Sequence, residues 1–168
     1  IAHLMANALV GNKRDAIVLE MHIPAAVIVF NKETLFTFTG AVTSATLDNE
    51  TVYSNQPIIV NAGSKLTFNT PANGARIYLA VHGGFKSKKG RLQKSDVLLT
   101  SQSFNYHFEG VGQLHALTTG WTANTGEFYR SNIIRCIQGP NFNVLSKKEV
   151  EQLIKQSIIL HGVKSIDR

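Results

Sequence analysis

Polar and apolar side chains alternate in one strand-like segment near the middle of the chain, and this segment runs into two glycines, Gly83 and Gly84. Side chains alternate across a β-strand, so the segment predicts two faces. The apolar face, which we expect in a core, consists of Ile77, Leu79 and Val81. The polar face, which we expect to meet a ligand, consists of Arg76, Tyr78, Ala80 and His82.

The side chains on the polar face are suited to anion binding and proton transfer. Arg76 can clamp a carboxylate or a phosphoryl oxygen, and Tyr78 and His82 can donate to a carbonyl or carry a proton. Gly83 and Gly84 let backbone amides approach an anion closely. The alternatives are structural: Arg76 paired with Tyr78, and the glycines forming a sharp turn. The residues alone leave these alternatives open and favour a structural role for His82.

Three further segments contain candidate site residues. Glu20 follows an apolar run and can act as a base, although pairing with a neighbouring arginine is the favoured interpretation. Thr39 and Gly40 end a strand with a hydroxyl and a flexible backbone, which suits the rim of a cleft or a turn equally well. Asn12 is expected to cap or turn the chain after the first helix.

Several kinds of chemistry have no pattern in this sequence. No glycine-rich loop ends in Gly-Lys-Ser or Gly-Lys-Thr, and Gly110-Val111-Gly112 lacks the third glycine of a dinucleotide site. The six histidines do not combine with cysteines or carboxylates at metal-binding spacings, so we predict no metal centre. No serine stands in a nucleophile elbow. The single cysteine, Cys136, lies in an apolar run and indicates a buried thiol.

Composition indicates a soluble, cytoplasmic protein. The chain has 168 residues and a formal charge of +6. No apolar run approaches the roughly 20 residues that span a bilayer, no secretory signal is present, and one cysteine suits a reducing compartment. A cluster of basic residues lacks interleaved aromatic residues and helical spacing, so a solvated loop is favoured over nucleic-acid binding. The cluster consists of Lys86, Lys88, Lys89, Arg91 and Lys94.

Helical periodicity opens and closes the chain. An amino-terminal helix is predicted to end near Gly11, with an apolar stripe of Ile1, Leu4, Met5, Ala8 and Leu9. After a predicted strand at 133–137, Ser146 and Glu149 stand at capping-box spacing and predict the start of a second helix.

Between residues 16 and 99 the pattern is that of a β protein. Phe36 and Phe38 alternate with Thr37 and Thr39, as expected for a strand with one buried face. Short runs of this kind predict antiparallel strands that close into a barrel or sandwich. Turns are predicted at Asp48-Asn49, Asn61-Ala62-Gly63 and Pro71-Ala72-Asn73-Gly74, with Asn73-Gly74 as the strongest signal.

An ordered set of short motifs resembles one family. The motifs are Ala6-Asn7-Ala8-Leu9-Val10-Gly11-Asn12, Leu19-Glu20, Phe38-Thr39-Gly40-Ala41, Leu47-Asp48, Gly74, Arg76, Tyr78-Leu79-Ala80-Val81, Gly83-Gly84, Gly90-Arg91-Leu92, Lys94, Asp96, Ile134-Arg135, Gly139-Pro140 and Ser165 with Arg168. In this order they resemble the biotin-dependent carboxyltransferase-like family of the 5-oxoprolinase C subunit, also known as KipI antagonist and allophanate hydrolase subunit 2.

The resemblance implies a mostly β fold: a cyclophilin-like β-barrel lobe with flanking helices, plus the start of a second similar lobe. The first lobe would span residues 1–100, a connecting region 101–132, and the beginning of the second lobe 133–168. Family members have a longer glycine-rich loop between the positions of Gly84 and Gly90 and further segments at both ends. We therefore expect this sequence to hold only parts of a longer protein.

The resemblance also implies a function. It implies ATP-dependent opening of 5-oxo-L-proline, a small lactam, to L-glutamate, performed with the A subunit and the KipI-like B subunit of the same enzyme. The alternatives are a non-enzymatic antagonist that binds a KipI-like kinase inhibitor, and a urea amidolyase-type carboxyltransferase that uses carboxybiotin. In the enzyme interpretation Arg76, Tyr78 and Glu20 are catalytic. Substrate-binding residues would be Thr39, Gly40, His82, Gly83, Gly84 and Arg168, the last of which matches the family's arginine in a Ser-x-Arg segment.

Overall fold

The structure, a computed structural model, describes residues 1–86, 90–102, 104, 116–125, 146–149 and 151. One helix and nine strands have defined bounds in this part of the chain. They are α1 (Ala2–Leu9), β1 (Leu19–His22), β2 (Ile28–Val29), β3 (Thr34–Val42), β4 (Ser44–Leu47), β5 (Glu50–Tyr53), β6 (Ile58–Val60), β7 (Lys65–Phe68), β8 (Asn73–Val81) and β9 (Ala116–Thr118).

The strands form two antiparallel sheets. The first has the order β1-β8-β3-β6-β9, and the second has the order β2-β7-β4-β5. β8 lies between β1 and β3, so its side chains have neighbours on both sides. The predicted mostly β fold is confirmed, and β8 holds Arg76 and Tyr78 and ends directly before His82.

The alternation predicted for β3 positions the main core. Phe36 and Phe38 are fully buried and pack with residues of both sheets. Phe38 meets Phe68 of the second sheet edge to face, with ring centroids 5.3 Å apart. The predicted apolar face of β8 lies in the same core, since Ile77 and Leu79 are buried there with Val81. The opposite face of the first sheet is thereby fixed as the outward face.

Helix α1 covers part of this outward face, but not with the predicted stripe. Its buried residues are Ala2, Ala6 and Asn7, whereas Ile1 and Ala8 are exposed. Ala6 packs in a second apolar cluster with Val10 and Ala80. The small alanine side chains allow the helix to lie close against the sheet, which is why the bulkier stripe is not the packing face.

The helix ends at the predicted place. Gly11 has a φ of +70°, its N–H donates to Ala8 O at 3.2 Å, and the N–H of Asn12 donates to Asn7 O at 2.9 Å. These two bonds are those of a Schellman motif, in which glycine is the residue that adopts a positive φ without strain.

Two of the three predicted turns are confirmed, and at the third, Pro71-Ala72-Asn73-Gly74, only the break between β7 and β8 is confirmed. Asp48 and Asn49 have positive φ and connect β4 to β5, and Gly63 has positive φ between β6 and β7. The segment Asn73-Gly74 is instead the start of β8, where Asn73 pairs with Val42 beside a register shift in β3. β7 and β8 belong to different sheets, so no hairpin turn joins them.

The chain divides into two compact units, 1–130 and 131–168. Strand β9, within the range predicted to connect two lobes, pairs with β6 of the first sheet. In the second unit Ser146 and Glu149 form the predicted capping box: Ser146 N–H donates to Glu149 Oε2 at 2.8 Å. The strand predicted at 133–137, Cys136 and Arg168 lie outside the described residues, and the lobe boundaries stay predictions.

Candidate functional site

The strand register brings three predicted site residues into one row on the outward face. Glu20 of β1 stands opposite Tyr78 of β8, and Tyr78 stands opposite Thr39 of β3. In the next row His22 stands opposite Arg76. Directly opposed residues have Cβ atoms about 5 Å apart, so their side chains can interact. We call the group Glu20, Arg76 and Tyr78 the open end of β8.

An ion pair is the main contact of the open end. Arg76 Nη1 donates to Glu20 Oε1 at 2.8 Å, and the two side chains are 54% and 39% exposed. The favoured interpretation of Glu20, a carboxylate paired with an arginine, is confirmed. His22 Nε2 lies 3.8 Å from the same Oε1 atom. Sequence analysis missed His22, although its position two residues after Glu20 in a strand places both on one face.

Tyr78 lies between this ion pair and the helix. Its ring centroid is 6.2 Å from that of His3 of α1. Partial burial raises the pKa of the Tyr78 hydroxyl above its ordinary value, and the negative charge of Glu20 raises it further. Burial lowers the pKa of His3, and the positive charge of Arg14 acts in the same direction. At neutral pH the site therefore holds a protonated phenol beside a neutral imidazole.

Thr39 and Gly40 of β3 lie beside Tyr78 and Arg76 of the open end. Thr39 is fully buried, and its Oγ1 donates to Ala2 O at 2.8 Å, which ties α1 to the sheet. Gly40 has a φ of +105°, and a Cβ there would lie 2.5 Å from Arg76 O. Glycine is therefore required for β3 to pass so close to the backbone of Arg76. These contacts favour the structural alternative for both residues.

Further candidates lie directly after the carboxyl end of β8, and their polar groups bind groups within the chain. We call the group Asn12, His82, Gly83 and Gly84 the closed end. His82 Nδ1 lies 2.9 Å from Val10 O, and its ring meets Phe104 edge to face. A carbonyl oxygen only accepts, so Nδ1 carries the proton. The structural role favoured for His82 agrees with these contacts.

The two glycine amides of the closed end already have acceptors. Gly83 N–H donates to Asn12 Oδ1 at 2.7 Å, and Gly84 N–H donates to Val81 O at 2.9 Å. Both glycines have positive φ, and a Cβ on Gly83 would lie 2.6 Å from Gln102 Cβ. The hydrogen bonds favour the turn interpretation over anion binding by these amides.

Asn12 connects the closed end to the helix through both ends of its amide. Its Nδ2 donates to Val81 O at 2.8 Å and to Asn7 Oδ1 at 3.0 Å. Asn7 is itself fully buried and donates from Nδ2 to Ala16 O at 2.8 Å. The sequence predicted a cap or turn at Asn12 and missed Asn7, because an asparagine on a helical stripe gives no sign of a distant acceptor.

The described residues contain no group of three or more His, Cys, Asp or Glu able to hold a metal ion. Nor does any helix in the described ranges have the length and apolar content needed to cross a membrane. The open end itself consists of one guanidinium, one carboxylate and one phenol, with the imidazoles of His3 and His22 nearby.

A family model supports the assignment suggested by the motifs. The model of the carboxyltransferase domain, subdomain A and B, matches residues 1–101, which is more than half of the chain. The chain therefore belongs to the carboxyltransferase-domain family, as the order of its motifs predicted.

Curated relatives and a solved structure share this domain. The chain is 39% identical over 80 residues to the C subunit of 5-oxoprolinase from Escherichia coli (strain K12), an alignment covering 48% of this chain and 26% of that protein. It is 34% identical over 80 residues to urea amidolyase of Lachancea kluyveri, covering 48% and 4%. A crystal structure of TTHA0988 superposes with a TM-score of 0.59 at 28% identity, covering 63% of this chain and 24% of that one.

These alignments cover only a small part of each relative. The alignment with the 5-oxoprolinase C subunit spans about a quarter of that protein, and the alignment with urea amidolyase spans a few per cent. The part matched by the family model, residues 1–101, contains β8 and both of its ends.

Proposed function

We propose that this chain is part of the C subunit of an ATP-dependent 5-oxoprolinase, which opens 5-oxo-L-proline to L-glutamate together with the A and B subunits. The observation that carries the proposal is the open end of β8. A half-exposed arginine lies there beside a tyrosine hydroxyl and a carboxylate, in a chain that is 39% identical over 80 residues to a 5-oxoprolinase C subunit.

Each group of the open end has a role suited to a lactam that bears a carboxylate. Arg76 binds the substrate carboxylate through N–H groups that Glu20 does not occupy. Tyr78 stays protonated because its pKa is raised, so it donates to the lactam oxygen as negative charge develops there. Glu20 takes a proton from the attacking water as its oxygen bonds to the lactam carbon, and gives that proton to the ring nitrogen when the C–N bond breaks. It is suited to this role because it pairs with Arg76 and stands opposite Tyr78.

The nucleotide is assigned to the partner subunits. Both glycine amides of the closed end donate within the chain, and the part of the chain that the structure describes has no other glycine pair of this kind. These residues do not fit a phosphate cradle, so we derive no step of ATP chemistry from them. The A subunit and the KipI-like B subunit would supply ATP binding and complete the cleft.

Glutamate formation tests this proposal directly. The full-length protein that contains this chain is mixed with the A and B subunits, 5-oxoproline and ATP, and glutamate is measured. We expect Arg76→Ala to lower kcat/KM about 100-fold, the value of a charge-assisted hydrogen-bond pair. Lys65→Ala, an exposed basic residue on a strand of the other sheet, should keep the wild-type rate. Absence of glutamate with the wild-type complex would overturn the enzyme proposal.

A second function is supported by the match to urea amidolyase. In that case the domain would transfer a carboxyl group from carboxybiotin to urea, and Arg76 would bind the transferred carboxylate. Urea-dependent consumption of carboxybiotin by the full-length protein, without glutamate formation, would favour this function. Tight binding to the KipI-like B subunit without turnover of either substrate would favour the antagonist of a kinase inhibitor.

A further inference from the structure

The geometry of the open end indicates how its affinity for carboxylates is set. Arg76 contacts Glu20 through a single nitrogen, Nη1, and a single oxygen, Oε1. A guanidinium has five N–H donors in a planar fork, and its strongest contact with a carboxylate uses two of them in parallel. The ion pair with Glu20 therefore uses one N–H group of Arg76 and is not the bidentate contact that a guanidinium can make with a carboxylate.

The pair is also accessible and weak. Both side chains are more than a third exposed, and ion pairs between exposed groups contribute little because water and salt screen them. An entering carboxylate can displace or share this contact without unfolding any element. The backbone at Arg76 is held by pairing with β1, by the neighbouring pairs with β3 and by the close approach of Gly40, so the base of the side chain stays in place when its partner changes.

We propose that Glu20 is a built-in competitor for Arg76, which weakens carboxylate binding at the open end. The proposed function supplies the identity of the carboxylate, 5-oxoproline, and the inference rests on it to that extent. Glu20 then has two effects of opposite sign: it opposes substrate binding and assists the reaction once substrate is bound.

A change of charge accompanies the competition. The empty pair is neutral, and a bound carboxylate adds one negative charge beside Tyr78 and the two histidines. Added negative charge favours the protonated form of the His3 imidazole, whose pKa burial lowers, so binding should take up protons at mildly acidic pH. The charged and titratable groups around the site are His3 of α1, Arg14 after α1, Glu20 and His22 of β1, and Arg76 and Tyr78 of β8.

Binding measurements on the full-length protein test the inference with two probes, 5-oxoproline and acetate. Calorimetry in two buffers of different ionisation enthalpy gives both the affinity and the number of protons taken up. Glu20→Gln, which keeps the shape and removes the charge, should bind both probes about two- to fivefold more tightly, as expected for an exposed ion pair. The same variant should form glutamate more slowly. Lys65→Ala should bind both probes as the wild type does.

A double-mutant cycle identifies the partner through which Glu20 acts. Arg76→Gln should weaken binding of both probes roughly 10- to 100-fold, and Glu20→Gln should give no further gain in the Arg76→Gln background. A weaker affinity in Glu20→Gln alone, or a gain that persists without Arg76, would overturn the inference. Thermal unfolding of each variant confirms that the fold is kept.

The outcomes separate this inference from the proposed function. If acetate binding follows the cycle and 5-oxoproline does not bind, the competition by Glu20 is supported and the proposed substrate is wrong. If the wild-type complex forms glutamate and Glu20→Gln leaves both affinities unchanged, the proposed function is supported and the competition by Glu20 is overturned.

Discussion

The polar groups at the two ends of β8 differ in how many of their hydrogen bonds are made within the chain. At the closed end, the Asn12 amide, the Gly83 N–H and His82 Nδ1 all have acceptors or donors within the chain. At the open end, Arg76 has one carboxylate oxygen and remains 54% exposed. A polar group whose partners are internal stabilises the fold, whereas one with donors directed to solvent can bind a ligand. Proximity to the glycine pair is therefore a poorer guide to the site than unfilled hydrogen-bonding capacity.

The sharpest way to test the closed end is to change its most crowded glycine. Gly83→Ala places a Cβ 2.6 Å from Gln102 Cβ and also imposes a positive φ on alanine. We expect a loss of about 3 kcal/mol or more in the free energy of unfolding, measured by urea denaturation. Gly63→Ala is the matched control, since Gly63 has a φ of +91° and no atom within 4 Å of its Cβ position. That control should cost about 1–2 kcal/mol. Equal losses would show that the turn at Gly83 is not packed as described.

A smaller effect is expected from the asparagine that joins this turn to the helix. Asn12→Ala removes the acceptor of Gly83 N–H and the donor to Val81 O, so we expect a loss of about 2–3 kcal/mol in unfolding free energy. Asn69→Ala, an exposed asparagine bonded to Ser44 Oγ, should cost less than about 0.5 kcal/mol. Acetate affinity, where the variant stays folded, should be unchanged. A large loss of acetate binding in Asn12→Ala would contradict the separation of the two ends.

The smallest effect concerns the open end and is visible only at high pH. Because the pKa of Tyr78 is raised in the folded state, the unfolded chain releases this proton first. The contribution of Tyr78 to stability is therefore complete below about pH 10 and is lost as pH rises through the folded value. Tyr78→Phe should remove this part of the alkaline decline and change stability at pH 7 by less than about 1 kcal/mol.

Thermal unfolding between pH 7 and pH 11 measures this difference. Tyr53→Phe, on an exposed position of the other sheet, should leave the wild-type decline in place. Identical alkaline profiles for the wild type and Tyr78→Phe would show that Glu20 and burial do not act on the Tyr78 hydroxyl as the contacts indicate.

Local patterns in the sequence predicted the strands well because strand faces depend on neighbours two residues apart. Phe36 and Phe38 are buried as predicted, and so are Ile77 and Leu79. The prediction of which face of α1 packs on the sheet was wrong, because side-chain size as well as hydrophobicity decides which residues meet the sheet. The turn at Asn73-Gly74 was wrong because strand pairing between sheets is not encoded in a dipeptide.

For the candidate site, the sequence predicted which side chains share a face of β8 but not the contacts that they make. Arg76 and Tyr78 were selected correctly as members of one face, since alternation fixes that face. Their contact with Glu20, 56 residues earlier than Arg76, follows from the register of β1 on β8, which no local spacing gives. Likewise, the sequence offered no way to decide whether the Gly83 and Gly84 amides are free, because their acceptors are distant in the chain or depend on the turn itself.

The position of β8 in the first sheet has a consequence for synthesis of the protein. β1 and β3 leave the ribosome before β8, although each pairs with β8 in the folded protein. Asn12 likewise cannot form its hydrogen bond to Val81 O until Val81, 69 residues later, has been made. Until β8 is made, the edges of β1 and β3 that pair with it in the folded protein have no partner strand. Contacts so distant in sequence slow folding, and unpaired strand edges favour aggregation. We therefore expect the unpaired edges of β1 and β3 to need shielding from aggregation until about residue 84 has left the ribosome. After that point α1, β1 and β3 can assemble around β8.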